Sequence, residues 1–441
     1  WSSDVCSSDL FKIHIILKGE NIEMENGKYL EETKKPFTPL LAIEEAARCL
    51  LCHDAPCSKA CPAGTDPAKF IRSLRFRNLK GAVETIRTNN PLGAVCSRVC
   101  PYDKYCEGAC SRCGIDKPIR IGELQRYLTD YEQSINMKVL EKVELDKEKV
   151  AVIGAGPSGL TAAAALALKG YKVTVFEEKD VLGGWLSYGI PPQRLPQEVV
   201  ENEINYIKEL GVEFKTGCKV GKDLSIDSLR AEGYKAFLVA CGMQKGKLVD
   251  IKGSDLEGVV NGVDFLAQAK TTKGDVKVGN HVIVIGGGDV AMDCASTAKL
   301  LGAEDVKIVY RRTIEKMPAS SEEKEYVSSL NIPIFTGFKP AEIIGKDGKV
   351  TALKAEGMFD ASKMELGADM VIFAVGQEAE NVDGIADLKS TGVFTSGDIV
   401  EDDKTVVQAV ASGKLAAEKI EAFLTGKSGL DEAASAKEGV R

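Results

Sequence analysis

The spacing of apolar residues changes character near residue 150. Before that point, apolar residues recur at the three- and four-residue intervals of helices. Thr38 followed by Pro39, and Asp66 followed by Pro67, each match the cap and first position of a helix. The second of these helices would bury Phe70, Ile71 and Leu74 along one side. The sequence therefore predicts a helical domain over residues 24–147.

After residue 150, short apolar strands alternate with helical segments, which is typical of parallel α/β sheets. This pattern begins twice, at Val150 and again at Val282. The charged stretch from Glu141 to Lys149 is the predicted linker before the first sheet, and residues 427–441 are the predicted tail. The fold class is α/β: an all-α N-terminal domain followed by two Rossmann-like domains.

The chain length and the N-terminal residues complete this outline of the domains. A chain of 441 residues corresponds to about three domains at roughly 150 residues each. Residues 1–23 begin with Trp1 and resemble translated sequencing adapter, whereas Met24 is a plausible native start. We therefore expect residues 1–23 to be a leader that the native protein lacks.

Composition narrows the possible functions. The net charge is −8, without a basic tract, which disfavours nucleic acid and anionic membranes as partners. No apolar run approaches the ~20 residues of a membrane-spanning helix. Only three histidines are present, so His-rich metal sites and most His-based triads are disfavoured. Nine of the 13 cysteines lie between Cys49 and Cys113. In a long chain without a signal peptide, this clustering predicts metal or redox chemistry in the reducing cytoplasm.

The first sheet opens with a dinucleotide-binding fingerprint. A strand leads into Gly154, and the fingerprint continues to the helix that follows: the predicted contacts are Gly154, Gly156, Pro157, Ser158 and Gly159. The next strand, residues 172–176, ends at Glu177, where a carboxylate accepts hydrogen bonds from a ribose diol. Strand, loop, helix, second strand and acid together predict a dinucleotide site.

The second sheet opens with a similar fingerprint whose third glycine is replaced by alanine. The predicted contacts are Gly286, Gly288, Asp289, Val290 and Ala291. Its second strand ends in Arg311 and Arg312 instead of an acid. Two guanidinium groups there suit a 2′-phosphate, so we predict NADP(H), with NAD(H) possible. The alternative is that these arginines lie on a solvated strand end.

The clustered cysteines have the spacing of iron–sulfur ligands. Four occur as Cys49-x2-Cys52-x4-Cys57-x3-Cys61, followed by proline, and five more follow between Cys96 and Cys113. Such runs resemble ferredoxin-type [4Fe–4S] binding, in which the last cysteine often serves another cluster. Four thiolates also suit structural zinc, which is the alternative.

A segment near the C-terminus bears on which nucleotide fold binds a flavin. Gly397 and Asp398 follow an apolar strand, and Thr405 starts a helix. This arrangement resembles the segment that closes the flavin site in flavoprotein reductases with two dinucleotide domains. The resemblance implies a discontinuous FAD domain, residues 148–250 and 378–426, with the NAD(P) domain, residues 251–377, inserted. No cysteine pair is positioned to form the redox disulfide of the disulfide reductases.

The complete domain order resembles a known oxidoreductase family. It is similar to the small subunit of NADPH-dependent glutamate synthase, to the N-terminal half of dihydropyrimidine dehydrogenase, and most of all to the electron-input subunits of bacterial NAD-dependent dihydropyrimidine dehydrogenases. The likeness covers about residues 30 to 425. It is carried by the segments Arg48–Cys57, Asn90–Cys96, Gly183–Trp185 and Gly397–Glu401.

The resemblance implies roles for individual residues. Cys49, Cys52, Cys57 and Cys110 would bind one cluster, and Cys61, Cys100, Cys106 and Gln125 would bind a second, which leaves Cys96 and Cys113 as spare thiols. Further flavin contacts would be Gly184, Trp185, Leu186 and Arg194, although a loop salt bridge is the alternative for Arg194. Gly376 would lie near the nicotinamide. Arg312 departs from the acid of the NAD-dependent subunits.

The resemblance also implies an activity. The chain would oxidise NAD(P)H through FAD and two [4Fe–4S] clusters, with no protein acid or base as a catalytic residue. The electrons would reach a separate FMN/iron–sulfur subunit, in a hetero-oligomer that reduces uracil or thymine. The alternatives are a glutamate synthase small subunit, a related ferredoxin-linked oxidoreductase, and a non-catalytic assembly module with vestigial nucleotide folds.

Overall fold

The structure is a computed structural model, and it describes residues 27–379 and 390–426. The predicted leader, residues 1–23, and the predicted tail, residues 427–441, lie outside the described residues. Within the described residues, no helix combines the length and the apolar character needed to cross a membrane.

Fifteen α-helices occur in the described residues. They are α1 (Gly27–Leu30), α2 (Pro39–Ala47), α3 (Pro56–Lys59), α4 (Pro67–Arg75), α5 (Leu79–Asn89), α6 (Gly93–Val99), α7 (Ile121–Ser134), α8 (Pro157–Ala167), α9 (Trp185–Tyr188), α10 (Gln197–Glu209), α11 (Ile226–Ala231), α12 (Gly262–Thr271), α13 (Asp289–Leu300), α14 (Ser321–Ser329) and α15 (Val406–Leu424).

The strands of the described residues begin only after the helical domain. They are β1 (Lys149–Ile153), β2 (Lys172–Phe176), β3 (Glu213–Lys215), β4 (Tyr234–Val239), β5 (Lys245–Gly246), β6 (Val259–Asn261), β7 (His281–Gly286), β8 (Asp305–Tyr310), β9 (Ile334–Thr336), β10 (Phe338–Lys346), β11 (Lys349–Gly357), β12 (Lys363–Gly367), β13 (Met370–Ala374), β14 (Gln377–Glu378) and β15 (Val393–Thr395). The predicted fold class, helices followed by two α/β folds, is confirmed.

The chain divides into two compact units. Within the described residues, the larger unit contains 35–187, 197–244, 379 and 390–426, and the smaller unit contains 27–34, 188–196 and 245–378. The larger unit therefore includes both the helical domain and the first nucleotide fold.

A five-stranded parallel sheet forms the first nucleotide fold. Its order is β15-β4-β1-β2-β3, so the late strand β15 pairs with β4 from the middle of the chain. This pairing makes the fold discontinuous in sequence. Apolar side chains such as Phe176, Phe237 and Val239 form a core on one face of the sheet.

The helical domain begins as its sequence predicts. The Thr38 hydroxyl accepts a hydrogen bond from the Leu41 amide at 3.3 Å and caps α2. Asp66 caps α4 in the same way, through the Lys69 amide at 3.0 Å. Phe70, Ile71 and Leu74 are fully buried in the core of this domain, as predicted.

A buried charge network joins the helical domain to the first nucleotide fold. Arg87 on α5 contacts Glu132 on α7 at 2.7 Å and Glu203 on α10 at 2.6 Å. All three side chains are almost completely buried. Removing one member would leave a buried charge without its partner, which typically costs about 3–5 kcal/mol. The two parts of the larger unit are therefore fixed to each other.

The smaller unit repeats the parallel architecture. Its five-stranded sheet has the order β6-β13-β7-β8-β9, and an antiparallel sheet of β10, β11 and β12 accompanies it. Compared with the predicted 251–377, the main segment of this unit is 245–378, and the unit also contains 27–34 and the segment 188–196. Lys270 on α12 holds that segment by donating to the Ile190 carbonyl at 2.6 Å.

Candidate cofactor sites

The first fingerprint loop has the close approaches that glycine permits. Gly154 ends β1 with φ of +104°, and a Cβ there would lie 2.5 Å from the Ala240 carbonyl oxygen. A Cβ on Gly159 would lie 2.1 Å from the Gly154 carbonyl oxygen. By contrast, nothing lies within 4 Å of a Cβ at Gly156. The loop therefore packs tightly against the sheet while Gly156 leaves room for a pyrophosphate.

Glu177 lies at the end of β2 beside this loop. Its carboxylate accepts hydrogen bonds from the amides of Ala155 at 2.8 Å and Lys179 at 3.0 Å. Burial raises the pKa of Glu177 above its ordinary value, while these two amides act in the opposite direction. Gly154 and Glu177 line a cleft whose other residues include Lys219, Cys241 and Gln244. The cleft lies at the carboxyl ends of β1, β2 and β4, where parallel sheets bind nucleotides.

The predicted Gly183–Trp185 turn packs directly on the fingerprint loop. The Gly183 amide donates to the Ala155 carbonyl at 3.0 Å. A Cβ on Gly184 would lie 2.9 Å from the Gly156 Cα atom. The turn thus brings Trp185, which is half-buried, and Leu186, which is buried, to the same site. Pro157 and Ser158 occupy the first turn of α8 next to it.

The C-terminal segment closes against the same helix. Ser158 donates its hydroxyl to Ser396 at 2.7 Å, and the Gly397 amide donates to Ser412 at 3.0 Å. Asp398 is half-buried, and burial raises its pKa. No hydrogen bond from another described residue reaches the Asp398 carboxylate, and its flavin contact stays a prediction. Thr405 caps the N-terminus of α15 beside it.

The second fingerprint loop begins with the same tight glycine turn as the first, but alanine replaces glycine at its third position. Gly286 has φ of +155°, and a Cβ there would lie 2.3 Å from the Ala374 carbonyl oxygen. Gly288 precedes α13, on which Ala291 is fully buried. Asp289 accepts a hydrogen bond from the Ser320 amide at 2.9 Å. Val290 follows it in the first turn of α13, and Gly376, with φ of +118°, follows the neighbouring strand β13.

The two arginines lie where the fingerprint predicts. Arg311 and Arg312 directly follow β8, and both are exposed. Within the described residues, neither guanidinium group forms an ion pair. Both groups are therefore available at the strand end that usually determines the choice between NAD and NADP.

Arg194 is bound within the smaller unit. Its guanidinium group contacts Asp293 on α13 at 2.8 Å and Glu323 on α14 at 2.7 Å. Both carboxylates are almost completely buried. This geometry is the salt bridge that the sequence left as the alternative, whereas the flavin contact of Arg194 stays a prediction. The partners lie about 100 or more residues away, so no local signal identified them.

The first predicted thiol set surrounds one cavity. Cys49, Cys52, Cys57 and Cys110 line it together with apolar residues that include Ile71 and Ile119. Burial raises the pKa of the Cys57 thiol to about 11, and the neighbouring thiols of Cys110 and Cys49 contribute. Bound iron would stabilise the thiolates that this burial disfavours. The four sulfur atoms thus fit a cluster that burial and hydrogen bonds can tune.

The second predicted thiol set is more deeply buried. Burial raises the pKa of Cys100, and the thiols of Cys96, Cys106 and Cys61 add to the shift. The structure therefore brings Cys61, Cys100 and Cys106 together, as the resemblance implies. It also places Cys96, predicted to be a spare thiol, in the same group, although no sequence signal distinguished it.

Gln125 contacts the helix that carries Cys96. Its side-chain nitrogen donates to the Gly93 carbonyl at 2.8 Å, at the start of the helix that carries Cys96. Its ligand role stays a prediction.

Within the described residues, no three His, Cys, Asp or Glu side chains converge on one point as a single metal ion requires. His53 follows Cys52 in the first cysteine run, Cys49–Cys61, and its side chain is exposed.

Comparison with known proteins determines the family. Residues 26–137 match the family described as dihydropyrimidine dehydrogenase domain II, 4Fe-4S cluster, and residues 148–412 match pyridine nucleotide-disulphide oxidoreductase. The chain is 46% identical to the NAD-dependent dihydropyrimidine dehydrogenase subunit PreT of Escherichia coli O157:H7, over 91% of this chain and 99% of that protein. The chain belongs to the PreT family of dehydrogenase subunits.

A second relative and a solved structure are also similar to this chain. The glutamate synthase [NADPH] small chain of Azospirillum brasilense is 33% identical over 89% of this chain and 91% of its own length. Thioredoxin reductase of Lactococcus lactis matches 64% of this chain and all of its own, with a TM-score of 0.52 and 22% identity. The latter supports the shared fold alone.

Family membership also identifies the cofactors. A PreT-family chain with these domains is an oxidoreductase that uses a flavin, a nicotinamide dinucleotide and [4Fe–4S] chemistry. The Escherichia coli O157:H7 protein is named as a subunit of its dehydrogenase. The zinc alternative is thereby replaced by iron–sulfur binding in the N-terminal domain.

Proposed function

We propose that this chain is the electron-input subunit of a dihydropyrimidine dehydrogenase. It would oxidise NAD(P)H and supply a separate FMN/iron–sulfur subunit, which reduces uracil or thymine in a cytoplasmic hetero-oligomer. The 46% identity to PreT across nearly both full lengths supports this function over that of the glutamate synthase small chain, at 33%.

The contacts between the flavin-type site and the second thiol set are the observation that carries the proposal. The Tyr105 hydroxyl, next to Cys106, donates to Asp403 and lies 3.4 Å from the Thr405 hydroxyl. Thr405 caps α15 at the predicted flavin site. The second cluster would therefore be held directly against the flavin-binding fold.

The bound cofactors supply the reactive chemistry, because a flavin accepts a hydride and iron–sulfur clusters carry electrons singly. The residues of this chain bind and orient them. The fingerprint glycines would admit the pyrophosphate groups, Glu177 and Asp398 would offer carboxylates to the flavin nucleotide, and the thiols of the helical domain would hold the iron. The first thiol set, in the cavity between Cys49 and Cys110, would pass electrons to the partner.

A test starts with the tagged chain, isolated without oxygen from its own host. We expect bound FAD, about eight iron atoms per chain for two [4Fe–4S] clusters, and an FMN-containing protein as the co-purifying partner. The purified pair should oxidise NADPH when uracil is present. A very large amidotransferase as the partner would instead establish the glutamate synthase function. A chain that lacks flavin and oxidises no NAD(P)H with an artificial acceptor would support the assembly-module alternative.

A further inference from the structure

A lysine on α15, the helix that starts at the predicted flavin site, reaches the turn that follows Cys61. Lys414 lies in the middle of α15, and its ammonium donates to the carbonyl oxygens of Ala63 at 2.7 Å and Asn89 at 2.9 Å. These acceptors lie more than 300 residues earlier in the chain. Ala63 is two residues beyond Cys61, a predicted ligand of the second cluster.

The loop around Cys61 is shaped to receive this ammonium. The Gly64 amide donates to the Cys61 carbonyl at 3.0 Å and closes a turn that contains Ala63. A Cβ on Gly64 would lie 3.7 Å from the Lys414 Nζ atom. The turn and the ammonium are therefore in close contact.

The Cys61 sulfur is near enough to interact with the Lys414 charge. Burial lowers the pKa of Lys414, and the Cys61 thiolate opposes that shift. Lys414 is half-buried, so its charge is less screened than that of a surface lysine. Among the described residues, its hydrogen bonds are made with backbone carbonyls, and no carboxylate lies within ion-pair distance.

A fixed cation beside a cluster changes its redox equilibrium. Reduction adds negative charge to an iron–sulfur cluster, so a nearby positive charge stabilises the reduced form and raises the potential. Hydrogen bonding and local charge are recognised means by which proteins adjust such potentials. Lys414 has the charge and the position for this effect.

We propose that Lys414 is a positioning residue for electron transfer, which fixes the Cys61 turn on α15 and raises the reduction potential of the cluster that Cys61 binds. This inference rests on the proposed iron–sulfur function. It assigns a second role to α15. The N-terminus of this helix lies at the predicted flavin site, and Lys414 in its middle contacts the turn beside the second cluster.

The test is a redox titration of the two clusters with dithionite as the reductant, in the presence of redox mediators. Electron paramagnetic resonance monitors the reduction of each cluster. Lys414→Met removes the charge and the donor, Lys414→Gln removes the charge but keeps a donor, and Lys414→Arg keeps both. Lys419→Met is the matched control, because Lys419 is exposed on the same helix. Iron and flavin contents are measured in every protein.

We expect a negative shift in the midpoint potential of one cluster in both neutral variants, with the other cluster unchanged. Lys414→Arg and Lys419→Met should stay close to the unmodified protein. If Lys414→Met loses iron, Lys414→Gln supplies the measurement. The proposal is overturned if iron-replete neutral variants keep both potentials, or if both clusters shift equally. Dithionite reduces the clusters without NAD(P)H, so this outcome is independent of whether the chain oxidises NAD(P)H.

Discussion

The two nucleotide folds share a sheet architecture but differ at two decisive positions. At the third fingerprint position, Gly159 allows no Cβ, whereas Ala291 carries one and is fully buried. At the end of the second strand, the first fold has a buried acid, Glu177, and the second has the exposed Arg311 and Arg312. Backbone packing accounts for the difference at the third position. The predicted ligands, FAD for the first fold and NADP(H) for the second, would account for the difference at the strand end.

The largest expected effect comes from Gly159→Ala. The added Cβ would lie 2.1 Å from the Gly154 carbonyl oxygen, so α8 must move away from β1 and distort the fingerprint loop. Such overpacking typically costs about 1–3 kcal/mol, and here it falls on the pyrophosphate site. We expect the purified variant to lose most of its flavin absorbance. Normal flavin content would show that this helix yields without disturbing the loop.

The next effect comes from replacing both arginines, in Arg311→Gln/Arg312→Gln. Hydrogen bonds to charged groups contribute about 1.5–3 kcal/mol each, so KM for NADPH should rise roughly 10- to 100-fold. KM for NADH should change much less, because NADH lacks the 2′-phosphate. Steady-state kinetics with both nucleotides measure the difference. Equal increases for the two nucleotides would remove the phosphate role and leave a solvated strand end.

A smaller effect is expected for Glu177→Gln in the first fold. The carboxylate accepts from two backbone amides, whereas a glutamine side chain offers only one oxygen. Glutamine would also replace a charge-assisted hydrogen bond to the ribose diol of FAD by a neutral one, which costs about 1 kcal/mol and weakens FAD binding by roughly 5-fold. Titration of flavin-depleted protein with FAD measures this change. Because burial raises the pKa of Glu177, more of the unmodified carboxyl is protonated at pH 5, where it resembles the glutamine. The deficit of the variant should therefore be larger at pH 8 than at pH 5. A deficit that does not vary with pH would contradict this account.

The smallest effect is expected for Ala291→Gly, which gives the second fold the glycine of the first. The substitution introduces no steric clash, and glycine lowers helix stability by about 0.5–1 kcal/mol relative to alanine. We expect a slightly lower melting temperature and nearly unchanged KM values for both nucleotides. A large loss of nucleotide affinity would show that the alanine methyl group contacts the ligand site.

Local features of the chain were predictable because their causes are local. The cap at Thr38 and the strand over 172–176 depend on residues within a few positions of one another. The fingerprint glycines are also local signals, since each reflects a turn or close approach within one β-α unit. The cysteine spacing pointed to iron for the same reason, because several ligands fall within one short loop.

Long-range contacts were not predictable, since nothing near Arg194 in sequence identifies Asp293 or Glu323 as its partners. The same holds for Cys96, which the fold brings among the thiols of the second set.

The sequence by itself therefore determined the fold class, both Rossmann-like folds and the cysteine-rich domain, because periodicity, caps and motif spacing act over short distances. Only the tertiary structure decided which charges are buried together, such as Arg87 with Glu132 and Glu203. It also decided that Lys414 meets the Cys61 turn. The physical reason is that a buried ammonium or carboxylate needs a partner, and any of many distant groups satisfies that need until packing selects one.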